Sequence, residues 1–396
     1  MEARWGFLIS IMKSIKKLCN NLNNKDNKIN IFNIFPQLKT KSSNKTNILY
    51  TSCMLNTSGL FRFILPVFAL NNTNNFNAVI PNIFRNNNGT LYIDNHNIGL
   101  TEDMLFWADY IILPPTTDSM SFFIRDVKSI NSKAIVCMDI DKIYHNLPAK
   151  SNDNIYYDIH KQKALVSNMA KCDMLIFADK IVSDFYKAEL KKNNADINSA
   201  IIPNMIGNEL FEDFKPITNN INQNVFTILI YTENADYEDV NANRDIIDQI
   251  NRKYPQVQFV AYGDKVNWKN KNAFRNLNVK IIERKSELSA YNDISRLVPN
   301  LAFVPISYSK DVYRTNIKLL ELSALGIPIL TYNVMPYSNF GEILFLGEKK
   351  KGVAELLGKV IENPALATKK MERAYKIIWN NFSINKNIIA YEKAFE

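Results

Sequence analysis

A repeated alternation constrains this chain more than any other feature. Short apolar runs rich in β-branched and aromatic residues take turns with stretches of helical period, on both sides of a polar break. In the first half the strand-like runs are Ile48–Cys53, Phe76–Pro81, Ala108–Pro114, Lys133–Asp139, Asp173–Phe177 and Ala200–Pro203. Helical patterns lie at Leu60–Leu70, Lys161–Lys171 and Lys180–Lys192. The alternation stops at Gly207–Asn224, a polar stretch containing Pro216. It resumes with strands at Val225–Tyr231, Val257–Tyr262, Val279–Glu283, Asn300–Pro305, Ile327–Tyr332 and Glu342–Leu346. The helices of this half are Val240–Tyr254, Glu287–Ser295, Asn316–Leu325 and Gly352–Glu362, followed by helices through residues 365–396. Uniformly apolar strands separated by helices are buried on both faces, which means parallel sheets between helix layers. The expectation is an α/β chain of two Rossmann-like, doubly wound domains facing each other across a cleft. Ligands of such sheets bind outside the strand carboxyl ends, so that cleft is the expected site.

Charge placement sharpens the domain plan. The 396 residues carry a net +9, but residues 1–47 hold nine basic and two acidic side chains, leaving only +2 for the rest. A basic groove for nucleic acid running through the body is not what this distribution suggests. Residues 1–46 form a basic leader and linker, followed by an N-terminal domain at 47–207 and a linker at 208–224. A C-terminal domain spans 225–376 and a final helical segment 377–396. Within the leader, Leu8, Ile11, Met12, Ile15 and Leu18 follow helical spacing, with Lys13, Lys16 and Lys17 on other faces. Residues 5–19 fit a membrane-surface anchor, a helix packed on the body or a disordered leader. No apolar run reaches the roughly 18 residues of a membrane span.

The 54 asparagines, with many Ile and Lys, look like the codon bias of an AT-rich genome. Cys19, Cys53, Cys137 and Cys172 show no paired metal or redox spacing, and His96, His145 and His160 are scattered. This argues against a disulfide scaffold, a zinc hydrolase and a Cys–His nucleophile, and it fits a reducing compartment. The expected location is cytoplasmic, or peripheral on the inner face of a membrane.

The most informative segment is Tyr313–Pro328, YRTNIKLLELSALGIP. A helix starting near Asn316 has Arg314 and Lys318 at its N-terminal end. Free N–H groups, the helix dipole and two cations together suit a diphosphate. Glu321 lies three residues after Lys318 on the same face and can accept ribose hydroxyls. A surface helix with an ordinary Lys–Glu pair has the same spacing.

This segment resembles the donor-binding motif of family-4-type glycosyltransferases of the GT-B fold, in a subgroup reading roughly R-x-K-S-N-I-K-x-L-E-x-x-A-L-G-x-P. Further stretches resemble that subgroup in the same order: Ser58–Pro66, Met138–Pro148, Cys172–Ala178 and Ile202–Asn204. The likeness covers about residues 47–390. It implies a GT-B fold whose C-terminal helix returns to the N-terminal domain. It also implies transfer of a sugar from a nucleotide-diphosphate donor with retention, to a glycan, lipid-linked glycan or protein. In this reading Arg314 and Lys318 stabilise the leaving diphosphate, and Glu321, with Asn316 and Thr315, holds the nucleotide. Gly59 and Ser58 lie near the donor sugar, and no cofactor beyond the donor substrate and no metal is required. Tyr313 stands where many members carry the first Glu of an E-x7-E motif, so only Glu321 carries over. Lys142 replaces the third Asp of the Met138–Pro148 motif.

Asp139 and Asp141 form an Asp-x-Asp after a strand. Positioning of acceptor or donor sugar, structural capping and metal binding are three roles for such a pair, and the first fits a GT-B protein best. Three rival functions are a sugar epimerase or phosphorylase, a non-catalytic GT-B binding protein, and a phage-type enzyme that glucosylates DNA bases.

Overall fold

The computed structural model describes residues 44–51, 57–80, 83–85, 91–93, 102–145, 157–211, 214, 225–231, 237–263, 274–283, 287–306 and 315–395. The leader's expected helix at residues 5–19 and Arg314 lie outside them. The chain divides into two compact units. The first takes the chain up to Ile143, Ile159–Glu209 and Ile384–Glu396; the second takes Tyr144–Asp158 and Leu210–Ser383.

The N-terminal unit opens with β1 (Thr46–Tyr50) and a helical run in three pieces: α1 (Thr57–Gly59), a π-helical turn (Leu60–Ile64) and α2 (Leu65–Asn71). Next come β2 (Phe76–Val79), the antiparallel pair β3 (Ile83–Arg85) and β4 (Leu91–Ile93), α3 (Glu102–Trp107), β5 (Tyr110–Leu113) and α4 (Ser121–Ile130). The unit continues through β6 (Ile135–Ile140), α5 (Ile159–Met169), β7 (Met174–Phe177), α6 (Lys180–Lys192) and β8 (Asn198–Ile201). Its main sheet runs β2-β1-β5-β6-β7-β8, all parallel. Strands β1, β5, β6 and β7 are buried almost throughout, which is why they read as unbroken apolar runs. Asparagines abundant in the composition serve here as backbone staples. Asn168 Nδ2 donates to the carbonyls of Thr116 and Asp118 at 2.8 and 2.7 Å, and Asn131 Nδ2 donates to that of Ala108 at 2.8 Å. Both tie down carbonyls that no strand or helix bond satisfies.

A short helix, α7 (Asn208–Phe211), precedes β9 (Phe226–Tyr231). The C-terminal unit then adds α8 (Tyr237–Ala242), α9 (Arg244–Lys253), β10 (Val257–Gly263), β11 (Val279–Glu283), α10 (Glu287–Leu297) and β12 (Leu301–Phe303). It finishes with α11 (Ile317–Ala324), β13 (Ile329–Tyr332), a 3₁₀ turn (Tyr337–Phe340), β14 (Phe345–Gly347), α12 (Lys350–Glu362) and α13 (Ala365–Asn381). The sheet order is β11-β10-β9-β12-β13-β14, again all parallel. This is the 3-2-1-4-5-6 order of dinucleotide-binding sheets, with its switch point between β9 and β12.

The chain then rejoins the first unit. Ile384 N–H donates to the Ile206 carbonyl at 2.9 Å, and α14 (Ile389–Phe395) follows. The Phe395 ring sits 4.9 Å from that of Tyr110 and 6.3 Å from that of Phe76, centroid to centroid. Burying such a side chain is worth roughly 2–3 kcal/mol.

Three expected elements differ in detail. The helix expected over Val240–Tyr254 breaks at Asn243, whose Nδ2 donates back to the Asp239 carbonyl at 2.6 Å and on to that of Ile306 at 3.2 Å. An asparagine that bonds four residues back competes with the helix ladder. The strand expected at Glu342–Leu346 forms later, at Phe345–Gly347, because the 3₁₀ turn and the bonds of Ile343 and Leu344 N–H to the Phe340 carbonyl hold the preceding residues. The helix expected over Leu60–Leu70 contains the π-helical turn, with Leu65 N–H reaching the Leu60 carbonyl.

Candidate functional site

In the C-terminal unit the site builds around α11, which connects β12 to β13 beside the switch point. Asn316 occupies its N-cap position without its side chain capping the helix. Thr315, Asn316 and Lys318 are all half-buried, so this end of the helix is reachable from solvent. The other end closes in a Schellman motif. Gly326 takes φ 68°, its N–H donates to the Ser323 carbonyl, and Ile327 N–H donates to that of Leu322. That turn fixes where α11 stops and β13 begins.

Glu321 lies one turn beyond Lys318 and is only 2% exposed. Tyr231, the last residue of β9, donates its hydroxyl to Glu321 Oε2 at 3.0 Å. Tyr291 of α10 donates to Oε1 at 2.7 Å. The Tyr291 ring packs on Phe211, 4.7 Å between centroids. A carboxylate this deep is costly to ionise without such donors. In the same unit, Tyr332 at the end of β13 donates its hydroxyl to Asn243. Burial, then Asp245 and Asp239, push that phenol above its ordinary pKa.

In the N-terminal unit the carboxyl end of β6 carries Asp139 and Asp141, both buried. Arg62, in the π-helical turn, makes a forked pair with Asp139: Nε to Oδ1 at 2.8 Å and Nη2 to Oδ2 at 3.0 Å. Its Nη1 donates to the Ile202 carbonyl at 2.6 Å and to Asn204 Oδ1 at 3.4 Å. Burial pushes the Asp139 carboxyl up to about 6, against the pull of Arg62. For Arg62, burial works against the charge, yet Asp139 holds its pKa above the ordinary value. The buried phenol of Tyr391, on α14, is raised by the same burial. Asp139 is thus engaged on both oxygens by a structural partner. Asp141 is different: its Oδ2 accepts from the Ser58 hydroxyl at 2.6 Å. Gly59, next to it, takes φ −62°, an ordinary helical angle. Its backbone angles therefore do not require glycine.

The fold places Lys318 and Glu321 on one helix with Thr315 and Asn316 just before it, and brings Ser58, Asp139 and Asp141 together in the other unit. Residues missed at sequence level are Tyr231 and Tyr291 around Glu321, and Arg62 on Asp139. A basic residue inside an otherwise apolar helix, Leu60–Leu70, was the available signal for Arg62: such a charge, once buried, demands an acid. Among the described residues, no group of three or more His, Cys, Asp or Glu side chains is placed to hold a metal ion. No described helix is long and apolar enough to cross a membrane. Cys137 and Cys172 are buried free thiols, and burial pushes Cys172 up to about 12.

Residues 240–392 match a protein family described as glycosyl transferase-like. No curated protein matches the chain in sequence. Several solved structures share its fold. A glycosyltransferase from Rickettsia africae is 15% identical, with a TM-score of 0.58, over 89% of this chain and 99% of that one. An Escherichia coli trehalose-6-phosphate protein bound to UDP-2-fluoro glucose is 10% identical, with a TM-score of 0.59, over 88% and 99%. TarM is 14% identical, with a TM-score of 0.52, over 81% of this chain; the match spans 64% of TarM. At these identities the structural likeness speaks for the fold, and the family match speaks for the C-terminal region. The solved structures thus show the GT-B fold, and residues 240–392 carry the match to the glycosyl transferase-like family.

Proposed function

We propose that the protein transfers a glycosyl group, with retention, from a nucleotide-diphosphate sugar to a glycan, lipid-linked glycan or protein acceptor. The observation that carries this reading is the juxtaposition on α11 of a reachable N-terminal end bearing Lys318 and a buried Glu321 one turn on, beside the sheet's switch point. The first suits a diphosphate and the second suits a ribose. A structural relative bound to UDP-2-fluoro glucose supports the same donor class.

In this mechanism Lys318 and Arg314 stabilise charge developing on the leaving diphosphate as the glycosidic bond breaks. A fixed cation in that place lowers the barrier because it needs no reorganisation at the moment of reaction. Glu321, with Asn316 and Thr315, holds the nucleotide. Asp141, hydrogen-bonded by Ser58, positions a sugar hydroxyl in the N-terminal unit, and Asp139 holds that region's shape through Arg62.

The test is a panel of UDP-, GDP-, dTDP- and CMP-sugars, read by thermal stabilisation and by nucleotide release. Binding to the folded state raises the melting temperature. Stabilisation and turnover by one nucleotide class supports the reading. A chain that neither binds nor turns over any of them is a GT-B scaffold without this chemistry.

A further inference from the structure

Glu321 is held from two directions by hydroxyls that approach it from distant parts of the chain. Tyr231 stands at the carboxyl end of β9, the strand beside the switch point, and its hydroxyl meets Oε2 at 3.0 Å. Tyr291 projects from α10 and meets Oε1 at 2.7 Å. Both tyrosines are buried, at 7% and 4% exposure, and Phe211 packs against the second. A glutamate side chain rotates broadly about its last torsion. One donor on each oxygen removes that freedom.

We propose that Tyr231 and Tyr291 are positioning residues that hold the Glu321 carboxylate rotationally fixed, in the orientation that accepts the ribose hydroxyls of the donor nucleotide. This rests on the reading of Glu321 as the ribose acceptor. A carboxylate recognises a ribose diol only when both oxygens lie in register with it, so locking the plane converts a general hydrogen-bond acceptor into a selective one. The pair acts through Glu321 and touches no reacting atom. Its contribution is selectivity for the ribose over its deoxy analogue.

The experiment is calorimetric titration of the full chain with UDP, GDP, ADP and CDP and with the 2′-deoxy form of each. The readout is the ratio of deoxy to ribo Kd for the best-bound base, with melting temperatures as the control for folding. The wild type is expected to prefer the ribonucleotide, and Glu321→Ala to lose that preference. Tyr231→Phe and Tyr291→Phe each reduce it by a factor on the order of five, and the double variant reduces it further. A merely structural role for the tyrosines would weaken both nucleotides equally and leave the ratio unchanged. If Glu321→Ala abolishes the preference while both Phe variants keep the wild-type ratio, the positioning role is overturned and the ribose reading stands. If the wild type binds none of the nucleotides, shows no preference, or keeps its preference in Glu321→Ala, the ribose reading falls and the positioning role with it.

Discussion

Arg62 and Asp139 lie 77 residues apart in sequence and meet as a forked ion pair in the interior of the N-terminal unit, with contacts of 2.8 and 3.0 Å. The pair joins the π-helical turn after β1 to the end of β6. Through the Ile202 carbonyl it also reaches the segment after β8. Removing one partner strands a buried charge. Arg62→Ala and Asp139→Ala are each expected to lose about 3–5 kcal/mol of unfolding free energy in denaturant titration. A paired replacement, Arg62→Met with Asp139→Leu, should recover most of that loss, because it removes both charges together. Losses within about 0.5 kcal/mol for the single variants would show that the pair does not hold the unit together.

Asp139 also predicts a pH dependence. Its carboxyl is pushed up to about 6 from 3.8. Between those values the folded protein binds a proton that the unfolded chain has already lost. The proton-linked part of its stability is therefore full below pH 3.8 and is lost as pH rises through about 6, and it is separate from the forked contacts with Arg62. Asp139→Asn should remove that part of the slope. Carboxyl-carbon NMR should place the Asp139 titration near 6, and a midpoint near 3.8 would contradict the burial argument.

Asp141 and Asp139 should separate in function although they are two residues apart. Asp141→Asn keeps an acceptor for the Ser58 hydroxyl and removes only the charge. It is expected to slow transfer by about tenfold or more while the melting temperature stays close to wild type. Unaltered transfer with a lowered melting temperature would make Asp141 another structural acid.

Gly326 is held at φ 68° by the Schellman turn that ends α11. Gly326→Ala forces a side chain into the left-handed region and should cost about 1–2 kcal/mol, read by chemical denaturation. Because the same turn fixes the end of the helix that carries Glu321, nucleotide affinity should fall alongside stability.

Much of the fold was legible because it is carried by local signals. The strand β9 is a run of six buried residues, too short for an ordinary helix and rich in β-branched and aromatic side chains. The helix stop at Gly326 was likewise readable from one glycine followed by Pro328. The placement of Lys318 and Glu321 on one helix followed from spacing alone. The partners of those residues did not. Tyr231 lies 90 residues from Glu321 and Tyr291 lies 30 away, and both read as ordinary core aromatics. Arg62 looked like one charge in an apolar helix until the fold supplied Asp139. The break at Asn243 was hidden because it depends on the Ile306 carbonyl and the Tyr332 hydroxyl, which only the closed sheet brings near.

If α11 holds the donor nucleotide sugar, its Lys318 and Glu321 side chains must govern turnover. This is tested most directly by nucleotide-release rates for wild type, Lys318→Ala and Glu321→Ala with the best donor of the panel. Both variants are expected to fold, with Lys318→Ala lowering kcat by about a hundredfold. Glu321→Ala should act mainly through KM. Wild-type kcat and KM in both folded variants would contradict it.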